Sequence, residues 1–395
     1  MISQMVGAPR SIPGLAAAMA VAMGAGPLIV YSISTLSPFL VPALDLTRTQ
    51  YGSLATLTYG AAAFASMRAG GIVDTSRAHL VMFWLVTGAA GAMLAAAVAP
   101  NYPVLLVAVM ASGVVQALSN PVTNRLAAQW VPPGPRGAVM GIKQSGVQMT
   151  QAATGLFLPT LAVLAGWRGA MALTAGACML LGVALAARYV PREGPRAPAT
   201  FGVSGAALPA PVWWLTAFVF LTGAAMQGAN FYLPLFGYEE LALPASTAGL
   251  LSALVGAVGI AARIGWGRLA ERIGGRLAML ALALGGAGGI TLILLSLLVH
   301  PLLVWAGAFL LGATGVAANV VVMVSVIHAV PSHAIGRASG VVALGMYLGF
   351  TVGPVSVGAI VDAIGHYSAA WGTLVGIYLL ALLAVAGYAR HGSSP

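Results

Sequence analysis

The chain has 395 residues, 60% of them apolar and only 6% charged, with a mean hydropathy of +0.96 and a formal net charge of +10. A soluble domain carries roughly 25% charged residues, so this composition excludes a water-covered surface and with it a soluble enzyme or binding domain. The basic excess does not indicate a nucleic-acid partner, because the arginines sit mostly at the ends of long apolar runs rather than in one patch.

A spanning helix needs about 20 mostly apolar residues. Taken in chain order, such runs fall at 14–41, 49–69, 79–99, 103–129, 138–163 and 169–189, and then at 212–237, 246–267, 277–299, 302–329, 338–361 and 369–389. They are too long and too continuous for the alternating strands of a membrane barrel. The leading MISQMVGAPRSIPG lacks a small-residue cleavage site after a short apolar core, so the first run reads as a retained helix. With the N-terminus inside, Arg10, Arg77, Arg136, Arg188, Arg192, Arg196, Arg268, Arg272, Arg276, Arg337 and Arg390 lie in or beside cytoplasmic segments, and Arg48 and Arg168 lie outside. That asymmetry predicts a multi-pass inner (plasma) membrane protein with both termini cytoplasmic. Cys178 is alone, which rules out an internal disulfide, and it is expected to pack as a small hydrophobe.

The chain is written twice. Asp74, in GGIVDTSR, and Glu271, in GRLAERIGGR, stand 197 residues apart, and the same offset aligns Leu44, Leu46 and Gly52 with Leu241, Leu243 and Gly249. Further on, an offset of 199 pairs Gly113 with Gly312, Asn120 with Asn319, Val131-Pro132 with Val330-Pro331, and Gly146 with Gly345. Six helices therefore repeat as six helices in the same orientation. This divides the chain into an N-terminal bundle (1–189), a Pro- and Gly-rich cytoplasmic linker (190–211) and a C-terminal bundle (212–395).

On these features the chain resembles the major facilitator superfamily (MFS) over essentially its whole length. Parallel six-helix halves match that family's architecture, and the resemblance implies an all-α membrane protein of twelve transmembrane helices in two parallel six-helix bundles. The family's signature between the second and third helices is reproduced by Gly267, Glu271, Arg272, Gly274, Gly275 and Arg276. The first-half copy keeps Gly70 and Asp74 but has Thr75 where an arginine is usual. An acid at such a helix end can pair with a nearby arginine or cap a neighbouring helix, latching one conformation. An ordinary topological charge cluster is the plainer alternative.

The third, sixth, ninth and twelfth runs carry almost no hydrogen-bonding side chains and are expected to face lipid. The first, fourth, fifth, seventh and tenth hold Tyr31, Gln116, Asn120, Asn124, Gln144, Gln148, Gln151, Gln227, Asn230 and Asn319. Such groups are costly in hydrocarbon unless paired or wet, so they are expected to line an internal cavity, or to bond one helix to another. On the fifth helix Lys143, Gln144, Gln148, Thr150, Gln151 and Thr154 share an arc of about 160°.

By these spans all seven acids lie in loops or at helix ends, whereas Arg125, Lys143 and Arg263 lie inside. An intramembrane cation without an acid calls for an anionic partner, which a substrate would supply. Arg125 and Arg263 lie near enough to helix ends to snorkel; Lys143, the one lysine of the chain, is roughly 9 Å inside. His328 reads as an interfacial histidine. ARIGWGRLAERIGG looks like the eighth helix of monocarboxylate and oxalate porters, which implies that Arg263 engages a carboxylate. The runs NPVTNRLAAQW and RGAVMGIKQSGVQ are similar to cyanate-permease-like small-anion porters. The first helix lacks the acid–glycine–tryptophan signature of monocarboxylate carriers, and the eleventh lacks a lysine. Against a drug–proton antiporter, the fourth helix has no early arginine, and glycine–proline spacing occurs only in the eleventh, at Gly349, Gly353, Pro354 and Gly358, where it permits close packing and a bend.

No nucleophile–base set, metal-ligand spacing or nucleotide-binding loop is present, so neither an enzyme nor a cofactor is expected. The expectation is a monomeric secondary transporter that moves a small organic anion, monocarboxylate-like, by alternating access, with protons as a candidate coupling ion. A proton-coupled exporter and a non-transporting membrane sensor are the alternatives. Substrate contacts are assigned to Lys143, Arg263, Asn120, Gln148, Gln227, Asn230, Asn319 and Tyr31. Gating or motif roles go to Gly70, Asp74, Gly267, Glu271, Arg272, Arg276, Arg125, Gly349, Gly353 and Pro354.

Overall fold

The computed structural model describes residues 11–192, 208–331 and 334–391. Most of the expected linker, with Glu193 and Arg196, lies outside the described residues, as do Arg10 and His333.

The first span is not one helix but three: α1 (Ile12–Ala25), α2 (Leu28–Thr35) and α3 (Ser37–Ala43), with a 56° bend between the first two. Pro27 and Pro38 withhold the N–H groups that would continue the ladder. There follow α4 (Arg48–Thr75), opened by a Thr47/Gln50 capping box, and α5 (Ala78–Ala97). The fourth span is broken into α6 (Tyr102–Gln116) and α7 (Ser119–Trp130), and α8 (Pro133–Tyr189) runs the fifth and sixth together across a kink. The second half repeats the scheme as α9 (Ala210–Glu239), α10 (Ala245–Ile273), α11 (Gly275–Leu298), the broken tenth span α12 (Leu303–Thr314) and α13 (Ala318–Ala329), then α14 (Ile335–Ile364) and α15 (Tyr367–His391). With α8 counted on both sides of its kink, these make twelve crossings, and no strand occurs among the described residues. Continuous helices were expected for the first, fourth and tenth spans; the breaks correct that.

The α8 kink sits at Gly166, with φ 70° and ψ 161°, a backbone region essentially closed to other residues. An added Cβ there meets nothing within 4 Å. Gly166→Ala is therefore expected to cost about 1–3 kcal/mol through backbone strain alone, measured as a lower unfolding temperature.

Two joints hold the halves together: α4 against α14 and α8 against α10. They are repeat-related down to single atoms. A Cβ on Gly52 would lie 2.4 Å from the Pro354 carbonyl oxygen, and one on its repeat mate Gly249 would lie 2.8 Å from the oxygen of Gly155, which is 199 residues before Pro354.

The cores reveal the conformation. At the end where α4 and α10 begin, one apolar core runs through both halves and includes Tyr51, Leu105, Phe231, Tyr232, Phe236 and Trp371. At the end where α1 begins and α15 finishes, each half has its own core, built around Leu15, Met82 and Leu126 in one and Phe218, Met279 and Val326 in the other. The first end is sealed and the second is open. Hydrogen bonds between the halves follow the same gradient. Tyr51 donates to the Phe231 carbonyl at 2.9 Å, Ser34 donates to the same oxygen at 2.9 Å, and Thr56 donates to the Thr351 carbonyl at 2.6 Å.

Candidate functional site

Between the halves, midway along the bundle, polar side chains converge from both. Gln151 on α8 donates to Asn230 Oδ1 on α9 at 2.7 Å, and Gln227 on α9 donates to the Tyr59 hydroxyl on α4 at 3.0 Å. Asn120 on α7 is held by Gln144 at 3.5 Å and engages Tyr347 of α14. Asn230, Gln227, Gln148 and Tyr31 are all buried.

Three of the expected substrate contacts have buried polar atoms without a hydrogen-bond partner among the described residues: Arg263 Nε, Gln148 Oε1 and Asn319 Oδ1. They belong to one neighbourhood. A Cβ on Gly259, one helical turn before Arg263, would lie 3.0 Å from Gln148 Cγ and 2.8 Å from Val316, which is three residues before Asn319. Tyr31, also buried, lies near Arg263. An unpartnered buried polar atom costs about 1–3 kcal/mol, so a guanidinium edge and two amide oxygens stand uncompensated between the halves. The arrangement can bind and orient; among the described residues no cluster of three or more His, Cys, Asp or Glu side chains could hold a metal.

Lys143 stands elsewhere. Its side chain is fully buried, and its Nζ donates to Asn124 Oδ1. It shares a helix face with Gly146 and Thr150, which pack on α1 against Ala20 and Gly24. The structure thus brings Asn120, Gln148, Gln227, Asn230, Asn319, Arg263 and Tyr31 around the space between the halves and sets Lys143 behind it, within the N-terminal half.

Arg125 donates through Nη1 to the carbonyls of Val73 and, at 2.8 Å, Ser76, clamping the C-terminal end of α4. Asp74 is partly exposed, Glu271, Arg272 and Arg276 are exposed, and all four lie at the open end with Gly70 and Gly267. Among the described residues neither carboxylate bonds across the halves. Gly349 and Gly353 press α14 onto α9, since added Cβ atoms would lie 2.3 Å from the Phe220 oxygen and 2.1 Å from the Ala224 oxygen; Pro354 lies inside α14.

Tyr59 and Tyr347 lie on the second and eleventh helices, which carry no amide side chain apart from Gln50 in the opening turn of the second and so do not stand out as polar in the sequence. One signal was available: Tyr347 is 199 residues from Gln148 and so is its repeat mate.

Two six-helix halves related by repeat, meeting along two equivalent joints with a layer of buried polar side chains between them and one end sealed, define a membrane transporter. The sequence matches the family profile of the Major Facilitator Superfamily over residues 15–354, with a second match over 266–394, and the chain belongs to that family. No curated protein matches the sequence. Among solved structures it is similar to a bacterial homologue of the human lysosomal transporter Spinster in its inward-facing, occupied conformation (TM-score 0.78, 15% identity, 96% of both chains). The unoccupied inward-facing form of that protein gives 0.78 and 15% over 95% of this chain and 96% of the other. A point mutant of the nucleoside transporter NupG gives 0.77 and 14% over 95% and 99%. At such identities the likeness is one of fold.

Proposed function

We propose that the chain is a secondary transporter of a small organic anion, monocarboxylate-like, which binds at Arg263 between the halves. The observation that carries this reading is Arg263 Nε, buried and without a hydrogen-bond partner among the described residues, one helical turn from the Gly259 contact with Gln148, in membrane spans whose sequence holds no carboxylate. A carboxylate would complete the guanidinium by charge-assisted hydrogen bonds in a low dielectric. Gln148 and Asn319 would hold its polar substituents, and Asn120, Gln227 and Asn230 the remainder of the wall. Lys143 would act one layer back by fixing Asn124.

The arginine asymmetry supports reading the open end, and both termini, as cytoplasmic in a plasma membrane, and on that reading the conformation is inward-facing. Alternating access would then rock the halves about the two joints, with exchange of anions or a proton carried on the cargo completing the cycle.

Uptake into proteoliposomes across a panel of mono- and dicarboxylates, neutral nucleosides and organic cations tests the reading. Saturable uptake of a carboxylate, competed by other carboxylates and not by the neutral or cationic solutes, is the expected outcome. Transport confined to neutral or cationic solutes would remove it.

A further inference from the structure

We propose that Asp362 is a positioning residue of the transport cycle: its carboxylate reaches across from the C-terminal half and latches the sealed end by capping the first turn of α4. The first N–H groups of a helix have no partner within it. In α4, Gln50 N–H is taken by Thr47 Oγ1 of the same half at 3.1 Å. Arg48 N–H and Thr49 N–H instead donate to Asp362 Oδ1 and Oδ2, at 2.9 and 2.7 Å. A carboxylate at a helix N-terminus also meets the favourable end of the helix dipole.

The surroundings reinforce the contact. The Arg48 side chain pairs with Glu239 on α9 at 2.6 Å, Glu239 accepts from Tyr367 at 2.9 Å, and the Tyr232 hydroxyl donates to the Arg48 carbonyl. The backbones touch here as well, since a Cβ on Gly358, one turn before Asp362, would lie 2.3 Å from the Arg48 oxygen. Partial burial pushes the Asp362 carboxyl upward. Hydrogen bonds from the Thr49 side chain and backbone, the Arg48 backbone and the Thr47 side chain outweigh that and hold it below the ordinary carboxylate range, so it stays charged at neutral pH.

The fold does not demand this carboxylate. At the twin joint between α8 and α10, the residue 199 places before Asp362 is Val163, which is 69% exposed. One of two equivalent joints thus carries a latch and the other does not. Because α4 and α14 belong to different halves, any state that opens the sealed end must give up both Asp362 bonds.

Spin labels at Val98→Cys and Val299→Cys, which are 74% and 71% exposed, one in each half at the sealed end, in a Cys178→Ala background, read the distance across that end in nanodiscs. Asp362→Asn is expected to move population to longer distances, and Asp362→Glu to restore most of the short-distance population. Arg48→Pro provides a second route, because proline is tolerated at the first helical position. It removes the N–H and the guanidinium, whereas Arg48→Gln removes the guanidinium alone. Wider separation in Arg48→Pro than in Arg48→Gln supports the cap even where Asp362→Asn fails to fold. If Asp362→Asn, where folded, matches wild type and Arg48→Pro matches Arg48→Gln, the latch is overturned.

Discussion

Arg263→Gln is expected to lower kcat/KM for anion uptake by about 10²-fold or more while leaving the unliganded protein as stable as wild type, or more so. Removing one partner of a buried charge pair costs about 3–5 kcal/mol, and each 1.4 kcal/mol is about a factor of ten. That loss appears only when cargo is bound, because in the empty carrier Arg263 Nε has no partner among the described residues to lose. Relieving an uncompensated buried donor in the empty state acts in the opposite direction. The two readouts therefore separate: uptake in proteoliposomes falls, and the unfolding temperature of the purified protein holds or rises. Arg263→Lys should recover part of the activity, since it keeps a charge but not the planar fork that meets a carboxylate through two parallel bonds. Lys143→Gln supplies the contrast. Its amine is enclosed in the N-terminal half and bonded to Asn124, so its effect on uptake is expected to stay below about tenfold, one such hydrogen bond contributing about 0.5–1.5 kcal/mol. Full uptake in Arg263→Gln would remove the anion site from this position.

The difference between these two cations marks the limit of what the sequence could convey. Lys143 and Gln148 were both placed on one polar arc of the fifth helix, and both are indeed buried. An arc of about 160° is wide enough to touch two different neighbours, however, and helical periodicity does not say which neighbour lies where. Gln148 reaches the C-terminal half beside Gly259, whereas Lys143 lies on the face packed against α1. Arg125 shows the same gap. Its depth in the fourth span was legible, but its target, the carbonyl end of α4, depends on a loop that only the folded half brings near. The helix breaks divide by cause. Pro27 announces the bend in the first span, and Pro121, which cannot donate to the Ala117 carbonyl four residues back, announces the break between α6 and α7; the break between α12 and α13 has no proline near it. What the sequence held most fully was the repeat, because equivalent positions must pack equivalently in both halves.

That equivalence sets the second large effect, at Gly146 and its repeat mate Gly345. An added Cβ on Gly146 would stand 1.9 Å from the Ala20 carbonyl oxygen and 2.6 Å from its carbonyl carbon, both backbone atoms of α1. On Gly345 it would stand 2.5 Å from Thr216 Cγ2 and 3.1 Å from the Thr216 oxygen on α9. A backbone neighbour cannot turn aside as a side chain can, so in the first case two helices must separate, whereas in the second a rotamer change absorbs part of the strain. Gly146→Ala is accordingly expected to destabilise by about 1–3 kcal/mol or more, the range for overpacking, and Gly345→Ala by less. Gly141, on the same helix with nothing within 4 Å of an added Cβ, is the control: there alanine should be neutral or stabilising by up to about 1 kcal/mol, its advantage over glycine inside a helix. Unfolding temperatures of the three variants in one detergent measure the order. Equal behaviour of Gly146→Ala and Gly141→Ala would mean that α1 and α8 are not in backbone contact. The interior wall that holds Lys143 against α1 would then have to be rebuilt.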